Sequence, residues 1–285
     1  MGESLKEVKT RIDSTKKTSQ ITKAMYMVSS SKVRRSQKTY FAYQDFVKKI
    51  SDLVATILHN TPEDAKSAIF SKREVKTTAY LLISSDTGLA GPYNSNVFKY
   101  FEQLLEEEKG DYVVGTIGRK AYTYAKGKNH PLVNKNSILI RDDVMYVDIV
   151  PLAKTLVSGY LNGSIDRLVI IYNHFVNSLT QETKHEILLP LDHIDGEVIS
   201  KEYLFEGGVL KTLDEIIPMY IQTVIYGIIL DAKTSEHSSR MNSMKNATDN
   251  ATEVIDKLQI LYNRARQAAI TTELIDIIAG ANAVE

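Results

Sequence analysis

The sequence predicts an α/β protein bracketed by two very long helices that pair as an antiparallel coiled coil. Three observations carry that reading. Residues 3–61 and 228–279 contain neither glycine nor proline, whereas all six prolines and nearly all the glycines lie between them. A typical globular helix has about 11–12 residues, so two breaker-free stretches of this length imply exceptional helices. Both ends also carry an apolar stripe at alternating steps of three and four. The middle instead alternates short β-branched runs with helical patterns, the signature of a mostly parallel sheet.

Taken in chain order, the first stripe runs Leu5, Val8, Ile12, Thr15, Ser19, Thr22, Tyr26, Ser29, Val33, Ser36, Tyr40, Tyr43, Val47, Ile50, Val54, Ile57. It is apolar at both ends and hydroxyl-bearing in the middle, and it predicts a helix over about 3–58. At 1.5 Å per residue that is roughly 80 Å. Strand-length runs follow at 77–85, 111–117, 136–140, 166–175 and 184–191, with helices expected at 94–108, 118–127 and 148–163. The run at 184–191 follows 166–175 without an intervening helix, so it is expected as an antiparallel edge strand. The last stripe leads from Leu213, Ile217, Tyr220 and Val224 through Met241, Met244, Thr248, Ala251, Ile255, Leu258, Tyr262 and Ala265 to Ala279. It predicts a second helix over about 212–283, roughly 105 Å long. The expected organisation is a coiled-coil helix at 1–60, a Rossmann-like α/β domain at 74–195, and a coiled-coil helix with a free tip at 210–285.

Helices of such length need partners to bury their stripes. If both leave the same domain they run antiparallel, and the second outlasts the first from about Ala268 onward. That remainder, AAITTELIDIIAGANAVE, is small and apolar, and it requires something to surround it. In the same pairing the hydroxyl-rich seam of Thr15–Ser36 faces residues 233–254, also small and polar, which predicts a thin, weakly apolar waist. Leucine at Ser19, Ser29 and Ser36 would then disturb activity. Close helix approach through small side chains is the plainer explanation of the same pattern.

Composition narrows the chemistry. The chain has 285 residues with 35 basic and 35 acidic side chains, and no cysteine. Disulfides, thiol catalysis and Cys-ligated metals are excluded. Residues 216–230 are the longest apolar stretch, broken by Pro218, Gln222 and Thr223, and read as too short for a membrane span; the N-terminus carries no secretory signal. These features predict a soluble protein of a reducing compartment. Charge is unevenly placed: residues 1–60 carry net +7, 212–285 carry −4 and the middle −3. The basic run from Arg11 to Lys38 suits a solvated coiled-coil flank or an acidic protein surface; net neutrality disfavours nucleic acid.

Catalytic motifs are thin. Gly110 and Gly115 have Walker A spacing, but Thr116 and Ile117 stand where Lys and Ser/Thr are needed to reach phosphate and Mg²⁺. No G-x-S-x-G turn is present, and the six histidines have no metal-ligand spacing. Residues 84–96, SSDTGLAGPYNSN, follow a strand and open a helix. They fit either a structural turn or a phosphate-binding loop.

Three segments together carry a family resemblance: QITKAMYMVSSSKVRRSQ (20–37), SSDTGLAGPYNSNVFK (84–99) and SRMNSMKNATDNATEVIDKLQILYNRARQAAITTELIDIIAGANAV (239–284). In this order, and over essentially the whole chain, they resemble the gamma subunits of F-type ATP synthases. The sequence departs from that family's common pattern at Tyr26, Thr87 and Ala90. The resemblance implies a non-catalytic central rotor shaft. Its coiled coil would sit inside a hexameric ring of alpha and beta subunits, be turned by the membrane c-ring and be regulated with the epsilon subunit. Ion-driven rotation would then be coupled to ATP synthesis or hydrolysis at beta-subunit sites, with no cofactor, metal or nucleic acid bound by the shaft itself. It places Lys23, Ala24 and Met25 against the beta subunits' acidic lever, and Arg266 and Gln267 against a beta-subunit loop. Thr271, Thr272, Glu273 and Asp276 would lie near the same sleeve. Ile277, Ile278, Ala279 and Gly280 would form the tip in an apolar bearing, and Phe205 and Glu206 would approach the c-ring. Without a transit peptide, the implied location is the cytoplasmic side of a bacterial plasma membrane, held peripherally. The alternatives are a coiled-coil scaffold without rotary role and a nucleotide switch using the 84–96 loop.

Overall fold

Long helices open and close the chain. The computed structural model describes residues 4–59, 61, 73–108, 110–142, 144–191, 194, 196–198 and 209–282. Helix α1 spans Leu5–His59 and α5 spans Val209–Asn282. A capping box starts α1: Ser4 Oγ accepts from the Glu7 amide at 3.3 Å, while Glu7 Oε2 accepts from the Ser4 amide at 2.9 Å, satisfying donors that an uncapped helix would leave open. Pro218 lies inside α5 and does not end it. Between them come β1 Thr77–Ile83, α2 Tyr93–Glu107, β2 Asp111–Ile117, α3 Arg119–Gly127, α4 Tyr146–Leu161, β3 Arg167–Phe175 and β4 Gln181–Leu189.

The four strands lie in the order β2-β1-β3-β4. β1 runs parallel to both β2 and β3, and β4 returns antiparallel at the edge, as the missing crossover helix requires. Both faces are covered. Along β1, Ala79, Leu81 and Ile83 enter one core with α4 and segments of both long helices. Tyr80 and Leu82 enter the other with α2 and α3, following the period of two expected of a strand.

The expected strand at 136–140 does not form. Only single bridges link Leu132 to Val114 and Ile138 to Ile117. Asn134 takes the place of a ladder: its Oδ1 accepts from the Thr116 amide at 2.8 Å and its Nδ2 donates to the Thr116 carbonyl at 3.2 Å. One side-chain amide thus satisfies backbone groups that a neighbouring strand would otherwise pair.

Two compact units divide the chain: residues 1–29 with 241–285, and residues 30–240. In the first, Val8, Ile12, Leu258 and Tyr262 pack together, and Thr248 Oγ1 donates to Thr22 Oγ1 at 2.8 Å. These partners show antiparallel pairing in the register that the two stripes predict. In the second, α5 from Leu213 to Ala232 and α1 from Ile50 to Ile57 join the core of the sheet. This bears on the membrane question. Within Lys211–Gly280 lies a window long and apolar enough, by length and composition, to cross a bilayer, against the expectation that residues 216–230 are too short; 59% of that window is buried inside the protein.

Candidate functional site

The final turns of α5 present an uncovered surface. The stripe is half-buried for the last time at Ala265, and every residue from Arg266 to Gly280 is exposed. Arg266, Gln267, Thr272, Glu273 and Ala279 therefore all face solvent, as do Ile277 and Ile278 at 63% and 59%. Ile270, Leu274, Ile277 and Ile278 recur at helical spacing and form one apolar face. The Thr271 and Thr272 hydroxyls donate back to the carbonyls of Gln267 and Ala268 at 2.9 and 3.0 Å, so they offer acceptors outward. Exposed apolar surface of this extent on a helix end marks a contact surface. On α1 in the same unit, Lys23 and Ala24 are exposed and Met25 is half-buried. Phe205 and Glu206 lie outside the described residues.

A second arrangement is absent from the sequence reading. Residues 231–240 of α5 are buried on every side of the helix, which corrects the expected waist over that part of 233–254: it is enclosed by the α/β unit instead of being thin and solvated. Its polar groups are paired. Asp231 Oδ1 accepts from the Phe175 amide at 2.7 Å, and Oδ2 contacts His174 Nδ1 at 2.6 Å and the Tyr40 hydroxyl at 3.3 Å. Burial raises the Asp231 carboxyl above its ordinary range, against those hydrogen bonds. Glu236 pairs with Lys233 at 3.1 Å and Arg240 at 2.8 Å. Tyr93 donates to the Ala232 carbonyl at 2.8 Å.

The 84–96 loop is consumed by this belt. Ser239 Oγ donates to the Ala90 carbonyl at 2.7 Å, and Arg240 donates to Thr87 Oγ1 at 3.0 Å and to the Gly88 carbonyl. Asn94 Oδ1 accepts from the Ser85 amide at 2.9 Å, and Asp86 Oδ1 accepts from the Arg119 amide at 2.9 Å. The loop acts as a strap on α5, and the structural turn is the reading its geometry supports. The described histidines are distributed in the same way: His130 meets Tyr112, His185 meets Tyr100 and His174 meets Asp231. No metal-competent cluster occurs among the described residues.

His237 supplies a pH test. Burial pushes its imidazole down to about 4, with Glu236 and Asp142 opposing and Lys233 and Arg240 reinforcing the shift. The unfolded chain takes up this proton near its ordinary 6.5, whereas the folded chain resists until about 4. The stability associated with neutral His237 is therefore intact above pH 6.5 and is lost as pH falls towards 4. At about 1.4 kcal/mol per unit this is roughly 3 kcal/mol. Urea midpoints of the full chain between pH 7 and 4 should fall more steeply than those of His237→Gln; parallel curves would remove this residue from the acid response.

These features define a protein of two long helices that pair with each other in one unit and join the core of a small α/β sheet in the other, with the last turns of α5 uncovered and no catalytic constellation assembled among the described residues. The ATP synthase family model matches residues 4–284. The ATP synthase gamma chains of Macrococcus caseolyticus and Staphylococcus saprophyticus are 42% and 41% identical to this chain, each alignment covering 99% of both proteins. A chain of the Euglena gracilis mitochondrial ATP synthase OSCP/F1/c-ring structure has a TM-score of 0.68 at 18% identity, covering 98% of this chain and 94% of that one. One of the Tetrahymena thermophila mitochondrial ATP synthase central stalk/c-ring structure has 0.61 at 24% identity, covering 80% and 99%. The chain belongs to the ATP synthase gamma-chain family, whose members are non-catalytic subunits of the complex.

Proposed function

We propose that this chain is the central rotor shaft of a bacterial F-type ATP synthase. It joins c-ring rotation to the catalytic cycle of beta subunits and so governs ATPase activity and ion flow. The observation that carries this reading is the full-length match to ATP synthase gamma chains; the uncovered apolar end of α5 supplies a physical reason for a surrounding sleeve. Alpha and beta subunits are the partners of that end and of the Lys23–Met25 segment. The epsilon subunit and c-ring engage elsewhere, with Phe205 and Glu206 assigned to the c-ring side by resemblance. The chain acts peripherally at the cytoplasmic face of the plasma membrane.

Mechanically, an off-centre helix pair touches three otherwise equivalent sites differently, and differential contact is what shifts conformer populations. A basic segment facing an acidic lever suits repeated contact, because exposed ion pairs are each worth only about 0–1 kcal/mol. Arg266 and Gln267 are the polar anchors of the sleeve contact.

Reconstitution with purified alpha and beta subunits tests the assignment. One large particle with strong ATPase dependent on this chain is expected. Arg266→Ala/Gln267→Ala should lower that activity about tenfold, corresponding to roughly 1.4 kcal/mol for lost charge-assisted hydrogen bonds. Unchanged activity would favour the scaffold. Truncation after Ala269 measures what the tip adds.

A further inference from the structure

The segment between Ile138 and Met145 is rooted in the sheet and reaches both long helices. Its root is firm: the Gly118 amide donates to the Ile138 carbonyl at 2.7 Å, and Ile140 and Val144 are buried. Towards α5, Lys233 Nζ donates to the Ile140 carbonyl at 2.9 Å and the Tyr226 hydroxyl donates to the Val144 carbonyl at 3.0 Å. Between those anchors Asp142 points at three basic groups. Its Oδ2 lies 2.6 Å from Lys32 Nζ on α1, and its Oδ1 lies 3.3 Å from His237 Nε2 and 3.6 Å from Lys233 Nζ on α5.

Charge explains why a carboxylate is needed there. Lys233 and Arg240 are buried and share the one carboxylate of Glu236, while Asp231, the other acid of the belt, is turned to His174, Phe175 and Tyr40, so this three-residue cluster holds one cation more than it has anions. Asp142 is the neighbouring anion, half exposed and shared with Lys32. Burial works to raise its carboxyl, but the Lys32 hydrogen bond and the charges of Lys233, His237 and Lys32 hold it below the usual range. A salt bridge on one helix alone would satisfy Lys233; the placement of Asp142 joins α1 and α5 through one side chain.

We infer that Asp142 is a cross-pin that locks both shaft helices to the α/β unit, so that load applied to the unit is carried by the pair and not by α5 alone. This rests on the rotor reading and adds a positioning residue to it. Neutralising Lys233 and linking the helices are separable roles. A small free carboxylate can supply the charge in a truncated variant, but it cannot supply the link to the loop.

This chain has no cysteine, so one introduced thiol is its single attachment point. Lys99→Cys on exposed α2 carries a bead in the assembled ATPase, and angular fluctuation is recorded during ATP-waiting pauses. Asp142→Ala should widen the angular variance about twofold and lower the thermal midpoint. Added formate should restore the midpoint while leaving the variance wide. Lys32→Ala, a change at a half-exposed side chain of α1, should widen the variance with little change in midpoint. The pin is overturned if Lys32→Ala leaves the variance at the parent value, or if formate restores variance together with stability. A parent complex that turns over ATP without rotating the bead would instead overturn the rotor reading itself.

Discussion

Glu236→Ala is expected to destabilise the chain by about 3–5 kcal/mol, the range for removing one partner from a buried ionic network. Glu236 is 3% exposed and lies between Lys233 and Arg240, both buried. Its loss would leave Lys233 with only the Asp142 carboxylate at 3.6 Å and would remove the carboxylate that pairs with Arg240. The damage should also spread, because Arg240 holds the strap at Thr87 and Gly88. For a chain of this size the thermal midpoint should fall by roughly 10 °C, and amide exchange in the 86–92 loop should quicken. Glu236→Gln, which keeps an acceptor, should lie between alanine and the parent chain. A calorimetric shift under about 1 °C for the alanine variant would show that water or rearranged cations replace the carboxylate.

Gly118→Ala is the second large effect, and its origin is steric. Gly118 has φ +93°, and a Cβ there would stand 2.1 Å from the Ser84 carbonyl oxygen and 2.6 Å from Ser84 Oγ. The conformation alone costs about 1–3 kcal/mol for an alanine, and the carbonyl belongs to the backbone at the end of β1, where it cannot swing aside. A total of about 4 kcal/mol or more is expected. Gly127→Ala, where nothing lies within 4 Å of the added carbon, is the matched control and should be neutral. Chemical denaturation of the pair decides it: equal midpoints would mean that the turn between β2 and α3 can relax.

What the sequence makes legible follows from which features are periodic. The two breaker-free ends and their stripes indicate both long helices and their antiparallel register, because a stripe repeats many times and each repeat reinforces the last. The stripe runs on to Ala279, and it is the difference in helix lengths that marks where cover stops: Ala265 is half-buried and Ala269 is not. β1–β3 are visible as β-branched runs and β4 as the run lacking a crossover. The run at 136–140 misleads because its composition suits a strand, while Asn134 has already occupied the neighbouring backbone.

The buried belt is hidden for a different reason. Lys233, Glu236, His237 and Arg240 lie at spacings that any solvated helix face would show, and charge composition does not indicate burial. Only the partners from distant segments, Asp142 and the Thr87–Ala90 loop, make the residues coherent. A faint signal exists in Ala232, Thr234, Ser235, Ser238 and Ser239, small residues on the remaining faces that permit close cover on all sides. The difference in helix lengths marks the end of α5 from about Ala268 as uncovered and apolar, but the individual roles of Arg266, Gln267 and the terminal isoleucines rest on resemblance, since an uncovered helix end has no internal contact pattern to betray them.

The contrast between residues 231–240 and 266–280 has a consequence for how the protein is completed. One unbroken helix passes from surroundings on every side to surroundings on none, so its local opening free energy should fall from near the global value to near zero along its length. About fifteen residues without tertiary contacts form a marginal helix in water. Deuterium uptake should therefore be slow at 231–240 and nearly immediate past Arg266 in the free chain, and assembly should protect the latter. On the proposed sleeve contact, part of the association energy is absorbed in ordering the last turns, so the helix would finish folding only where it is put to use.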